Sequence, residues 1–109
     1  INLRYLGWCS DWPSGSSWFS PVFSSEGSSN YSYLSVPRID QKIRQIESMP
    51  AEKQAPHWGD LDKEIMSSYY PVIPDYYTAN AMLHGSKIMG FNNDEVRGMP
   101  TFATMWVKQ

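Results

Sequence analysis

The sequence has almost nothing with which to cross-link itself, since Cys9 is the single cysteine in 109 residues. A lone thiol excludes an intramolecular disulfide, and cysteine number therefore gives no information on redox compartment. Positive charge is also scarce. Nine Lys and Arg stand against eleven Asp and Glu, for a formal net charge of -2, and the basic residues form no cluster. That removes the electrostatic footprint for a phosphate backbone or an anionic lipid surface, so nucleic acid is not an expected partner. Long apolar runs are missing too, and no stretch approaches the ~18 residues of a membrane-spanning helix.

The residues of common reaction chemistry are equally sparse. His57 and His84 are the only histidines, and neither has a His or Cys three or four residues away, so no zinc site is expected. Asp60, Asp62 and Glu64 alternate at i, i+2 spacing, which does not bring side chains together on a helix, and they read as a solvated set. Serines are plentiful, but there is no G-x-S-x-G turn and no Ser/His/Asp order. The chain is therefore expected to be no enzyme and to need no cofactor. Its first residues, Ile1 to Leu6, carry neither a basic stretch nor a small-residue cleavage site, and Ile1 is not a methionine. They read as a chain entered partway through.

Aromatic residues are abundant. Trp8, Trp12, Trp18, Trp58 and Trp106 are joined by Tyr69/Tyr70 and Tyr76/Tyr77, and aromatics make up 15% of the chain. Ile1 to Trp8 predicts a strand that ends in a loop at Gly7 and Asp11 to Gly15. Ser16 and Ser17 are expected to cap a short helical turn gathering Trp18, Phe19, Val22 and Phe23, before a polar surface loop over Ser24 to Ser32. Ser35 and Pro37 open a predicted helix to Ser48, with Ile39, Ile43 and Ile46 at i, i+4 and i+7. Pro50 ends it, and a second helix is predicted over Ala51 to Ser67 with Trp58, Leu61 and Ile65 inward; Pro56 weakens its first part. Those aliphatic stripes are expected to pack on a sheet. Tyr70 to Thr78, with Pro71 and Pro74, predicts an edge strand that Ala81 to His84 continues or pairs with, and after the turn at Gly90 to Gly98 a last strand is predicted over Thr101 to Val107.

Gly7-Trp8-Cys9-Ser10-Asp11-Trp12-Pro13 stands apart, because it sets one carboxylate between two tryptophans at a strand-to-loop junction. An Asp walled by aromatic rings lies in reduced dielectric, where it holds an ammonium more strongly than an exposed carboxylate does, and the rings themselves attract cations. The equally good alternative is that Asp11 caps the turn and the tryptophans are core.

The same residues resemble the G-W-x-A-D-Y/W-P segment of family 5 solute-binding proteins, the oligopeptide, dipeptide and nickel receptors of ABC importers. Asn30-Tyr31-Ser32 with Ser35-Val36-Pro37 and Asp40 resembles N-Y-S-x-Y-S-N-P-x-x-D, Pro71-Val72-Ile73-Pro74 with Tyr76-Tyr77 resembles P-V-I-P-L-Y-Y, and Lys87 to Phe91 resembles V-K-G-F. With the helix from Ala51 to Met66 between them, the landmarks fall in order along nearly the whole chain. The resemblance implies an α/β fold, the C-terminal portion of a two-lobed periplasmic-binding-protein-like (type II) architecture, with 1–77 in the second large lobe and 78–109 returning through the hinge. It implies that Asp11 receives a peptide ammonium, that Trp8 lines the pocket, and that Gly7, Cys9, Trp12, Tyr77 and Thr78 complete the ligand-binding set. It also implies a disulfide from Cys9 to a residue outside this chain.

The implied partners are a peptide or similar small solute and the membrane permease of an importer, and the implied location is extracytoplasmic, in the periplasm or on the cell surface as a lipoprotein. A lobe cut from its parent is expected to self-associate. Ser14-Gly15 departs from the family's usual Asp-Pro or Glu-Pro, and Tyr33-Leu34 from Gly-Tyr, which leaves nickel or a saccharide as other solutes. An aromatic-rich carbohydrate-binding module is the unrelated alternative, expected as an all-β sandwich.

Overall fold

The computed structural model describes residues 4–109, and the chain divides into two units, Ile1–Pro74 and Asp75–Gln109. In the first unit the order is α1 (Ser16–Phe23), α2 (Pro37–Glu47) and α3 (Ala51–Ser68). The stripes read from the sequence become buried faces, Ile39, Ile43 and Ile46 on α2 and Trp58, Leu61 and Ile65 on α3, whereas on α1 Phe19, Val22 and Phe23 are buried and Trp18, expected beside them, is exposed. Fully burying an aliphatic or aromatic side chain contributes about 1.5 to 3 kcal/mol, so these nine residues are what hold the unit together. Phe19 stacks on Trp58 with ring centroids 4.9 Å apart and planes 19° from parallel.

The helix boundaries follow local chemistry. Pro37 begins α2, where a proline's missing N–H costs nothing, and Asp40 in the first turn complements the positive end of the helix dipole. Pro50 precedes α3, and Pro56 lies early inside it without ending it, since a proline there removes one backbone bond near the helix start. α2 and α3 also meet through Glu64, which pairs with Lys42 and, at 3.4 Å, with Arg38. The hydrogen bond from Lys42, against the opposing effect of partial burial, lowers the Glu64 carboxyl below its ordinary value. Glu64 is therefore paired, which corrects its reading as solvated, while Asp60 and Asp62 are exposed as expected.

The connection between α1 and α2 is organised by two side chains. Asn30 donates through Nδ2 to the carbonyls of Ser24 at 2.9 Å and Leu34 at 2.7 Å, while its Oδ1 accepts from the Leu34 N–H at 3.1 Å. Asp40 accepts from the Ser25 N–H at 2.8 Å and from the Ser25 hydroxyl. Tyr33, inside this loop, has φ of 55°.

The second unit is built differently. β1 (Ile88–Met89) pairs antiparallel with β4 (Trp106–Val107), and β2 (Asn93–Asp94) with β3 (Met99–Pro100). Gly90 and Gly98 turn the chain with φ of 68° and 63°, in the region that only glycine enters freely. Asp94 Oδ1 closes the β2 to β3 turn by accepting from the N–H groups of Val96 and Arg97 at 3.0 and 3.1 Å. No residue of this unit is buried.

Several expectations are overturned. Of the strand predicted over Ile1 to Trp8, the first three residues lie outside the described ones, and residues 4–8 are irregular. The stripes of α2 and α3 pack on one another and on α1, and the first unit has no strand among its described residues to serve as the expected sheet. Gly15, not a serine, occupies the N-cap of α1, and no side chain caps it. Tyr70 to Thr78 and Ala81 to His84 form no strand, and Pro71 and Pro74 lack the N–H a ladder needs. Thr101 to Val107 is broken by a 3-10 turn over Phe102–Thr104, leaving only Trp106–Val107 extended and paired.

Candidate functional site

The segment from Trp8 to Trp12 has no regular structure, and it is held to α1 by a set of unlike hydrogen bonds. The Trp8 indole Nε1 donates to the carbonyl of Ser17 at 2.7 Å, the Asp11 backbone N–H donates to Ser17 Oγ at 2.7 Å, and the Trp12 indole donates to Ser16 Oγ at 2.9 Å. From the helix side, the Trp18 indole donates to Ser10 Oγ at 2.8 Å. Ser17 is 1% exposed and fully bonded. The hydroxyls that the sequence assigned to helix capping instead receive the loop. Ser14 Oγ accepts from the Ser16 N–H at 3.3 Å and reaches Gln54 Oε1 on α3 at 3.4 Å.

This clasp forms one wall of an open pocket of about 600 Å³. Trp8, Asp11 and Trp12 line it from the loop, Ser16, Ser17 and Ser20 from α1, Glu47 from the end of α2 and Gln54 from α3. Glu47 Oε1 accepts from the Ser20 hydroxyl, which directs the carboxylate toward α1. Gln54 is held by its own bonds, donating to the Met49 carbonyl at 2.9 Å and accepting from the Trp58 indole at 3.3 Å. Among the described lining residues there are two carboxylates and two indoles, and no Lys, Arg or His. Such a wall attracts cations through charge and through the ring faces.

Of the seven residues singled out from the sequence, Trp8, Asp11 and Trp12 meet at this pocket. Gly7 and Cys9 lie on the same segment, exposed, and are not among its lining residues; the Cys9 thiol is free. Tyr77 and Thr78 are exposed and belong to the second unit, Tyr77 with 98% of its surface accessible. Sequence reasoning missed Glu47, Gln54, Ser16, Ser17 and Ser20 as pocket residues. The signal for Glu47 was its place off the Ile39/Ile43/Ile46 stripe at the last turn of an amphipathic helix, but only the packing of α1 on α2 reveals what it faces.

Among the described residues no group of three or more His, Cys, Asp or Glu could hold a metal ion. Among the described residues no helix is long and apolar enough to cross a membrane. No family model, no curated protein and no solved structure matches the sequence.

Proposed function

We propose that the chain captures the ammonium end of a peptide or similar small solute, with Asp11 as the anionic group and Trp8 and Trp12 as the walls beside it. The observation that carries this reading is the convergence of those three side chains on one open pocket whose described lining residues include no cation. Asp11 is exposed beside half-exposed Trp12, so the attraction for a cation comes from the carboxylate's charge together with the ring quadrupoles of the indoles, without the gain of a closed site. The loop is fixed by hydrogen bonds from both tryptophans, so the cost of ordering it is met before a ligand arrives.

The wider reading, resting on the ordered motifs, is that the chain is the C-terminal part of a family 5 solute-binding protein, a two-lobed α/β receptor that hands its solute to an importer's membrane permease outside the cytoplasm and catalyses nothing. In that reading Tyr77 and Thr78 meet the ligand only in the complete receptor, and 78–109 returns through the hinge. Exposed Ile73, Tyr77 and Leu83 support self-association of the isolated chain. An all-β carbohydrate-binding sandwich is disfavoured by the three helices that supply the core of the first unit. The test is calorimetry on the complete protein to which the chain belongs, comparing a free-amino tripeptide with its N-acetylated form. The free amine is expected to bind about thirty-fold more tightly, the scale of a desolvated charge pair. Equal affinities would rule out ammonium capture.

A further inference from the structure

We infer that Ser17 is the positioning residue of the pocket, holding the Asp11 backbone where the carboxylate meets a ligand ammonium and acting through Asp11, not on the ligand. The inference rests on the ammonium reading above and adds the residue that sets the geometry of that site. Ser17 is 1% exposed and is the one buried polar residue among those described. A buried hydroxyl is costly unless bonded, so its partner is held by the packing around it. That partner is the Asp11 backbone N–H, which donates to Ser17 Oγ at 2.7 Å. The Ser17 carbonyl accepts from the Trp8 indole, also at 2.7 Å. A single residue of α1 thus ties down both the carboxylate-bearing residue and the wall beside it.

Two features of the sequence release Ser17 for this task. A serine at the start of a helix ordinarily turns its oxygen toward the helix's own unpaired N–H groups. Here backbone carbonyls serve those groups: the Ser17 N–H donates to the Ser14 carbonyl at 3.1 Å, and the Trp18 and Phe19 N–H groups both donate to the Gly15 carbonyl at 2.9 Å. The hydroxyl is left to the loop. The Ser17 carbonyl would ordinarily accept from the residue four further on, but that residue is Pro21, inside α1, which has no N–H. The Trp8 indole supplies the missing donor. The bond from the Trp12 indole to Ser16 Oγ is exposed, where water competes with it, which makes Ser17 and not Ser16 the fixed point of the loop.

The experiment measures a free-amino tripeptide and its N-acetylated form by calorimetry on the complete protein, unaltered and with Ser17→Ala. The substitution removes the acceptor of the Asp11 N–H and leaves the Ser17 carbonyl in place. It should cut the preference for the free amine from about thirty-fold to about threefold, while affinity for the acetylated peptide changes by less than about twofold. A role confined to folding would weaken both peptides alike; a ratio unchanged in Ser17→Ala therefore overturns the inference and leaves the ammonium reading standing. Ser24→Ala is the control, because Ser24 Oγ bonds to the Ser20 carbonyl at the C-terminal end of α1 and Ser24 is not among the lining residues. Its ratio should stay at about thirty-fold, and a fall equal to that of Ser17→Ala overturns the inference as well. Should circular dichroism show that Ser17→Ala does not fold, hydrogen exchange of the Asp11 amide in the unaltered protein decides. Protection of about tenfold or more over an unbonded amide supports the inference, and exchange at the solvent rate overturns it. Equal binding of the two peptides by the unaltered protein overturns the ammonium reading and with it the role of Ser17 in capture, and a protected Asp11 amide then marks Ser17 as a residue of the loop's structure alone.

Discussion

The two units of this chain are stabilised by different means. In Ile1–Pro74, nine side chains from three helices are removed from water, and Ile39 and Ile65 are completely inaccessible. In Asp75–Gln109 no residue is buried, and the order comes from two-residue ladders, glycine turns and side chains bonded to backbone, such as Thr104 Oγ1 to the Gly90 carbonyl at 2.8 Å. Apolar burial is the dominant favourable term in folding, so the first unit should carry most of the stability that can be measured and the second should open easily. The lesson is that aromatic and β-branched content alone does not make a core; the residues must recur at a spacing that collects them on one face.

The largest effect that could break this comparison is truncation in the helical core. Ile65→Ala and Leu61→Ala should each destabilise the first unit by about 2 to 5 kcal/mol, whereas Leu83→Ala, at a side chain 99% exposed, should change stability by under about 0.5 kcal/mol. Urea unfolding followed by circular dichroism reads both. Comparable losses at Leu61 and Leu83 would mean that the second unit has a core of its own. Backbone exchange gives the same contrast residue by residue, with the Ile43 and Ile65 amides expected to outlast those of Ile88 and Lys108 by orders of magnitude.

A smaller effect sharpens the account of the second unit. Gly90 has φ of 68°, and a Cβ there would strike the Thr104 carbonyl, so Gly90→Ala should cost about 1 to 3 kcal/mol and release the β1 to β4 pairing. Loss of the Trp106 and Ile88 ladder signals in NMR spectra, with the helical signals unchanged, is the expected result. Retention of the ladder would show that side chains, not the glycine turn, hold it.

How much of this was legible in the sequence divides along the same line. α2 and α3 could be read almost to the residue, because Ile39, Ile43 and Ile46, and Trp58, Leu61 and Ile65, repeat at the helical period and are bracketed by Pro37 and Pro50. The strands could not. Tyr70 to Thr78 has strand composition, but composition does not supply a partner, and Pro71 and Pro74 each remove a donor. The Trp8, Asp11 and Trp12 constellation was visible because it is local. Glu47 and Gln54 join it through the packing of helices, and Ser16 and Ser17 were assigned to capping although their hydroxyls hold the loop.

The smallest effect concerns charge between the helices. Glu64 has its carboxyl lowered from 4.5 by the Lys42 hydrogen bond, so its contribution to stability is present above the ordinary value and is lost as pH falls through the lowered one. Glu64→Gln should therefore lower the melting temperature modestly at pH 7, with the difference from the unaltered chain closing as the pH drops below 4.5. A difference that stays constant down to strongly acid pH would show that the pair with Lys42 and Arg38 does not stabilise the first unit.

The most direct test of the central claim is a double cycle between Asp11 and the ligand ammonium, measured by calorimetry on the complete protein. It compares the free-amino and N-acetylated tripeptide in the unaltered protein and in Asp11→Asn, which cancels whatever the substitution does to the loop apart from the charge. The account predicts a coupling of about 2 kcal/mol or more, with the preference for the free amine largely abolished in Asp11→Asn. A preference for the free amine that persists undiminished in Asp11→Asn would contradict it and leave Asp11 as a residue of the turn before α1.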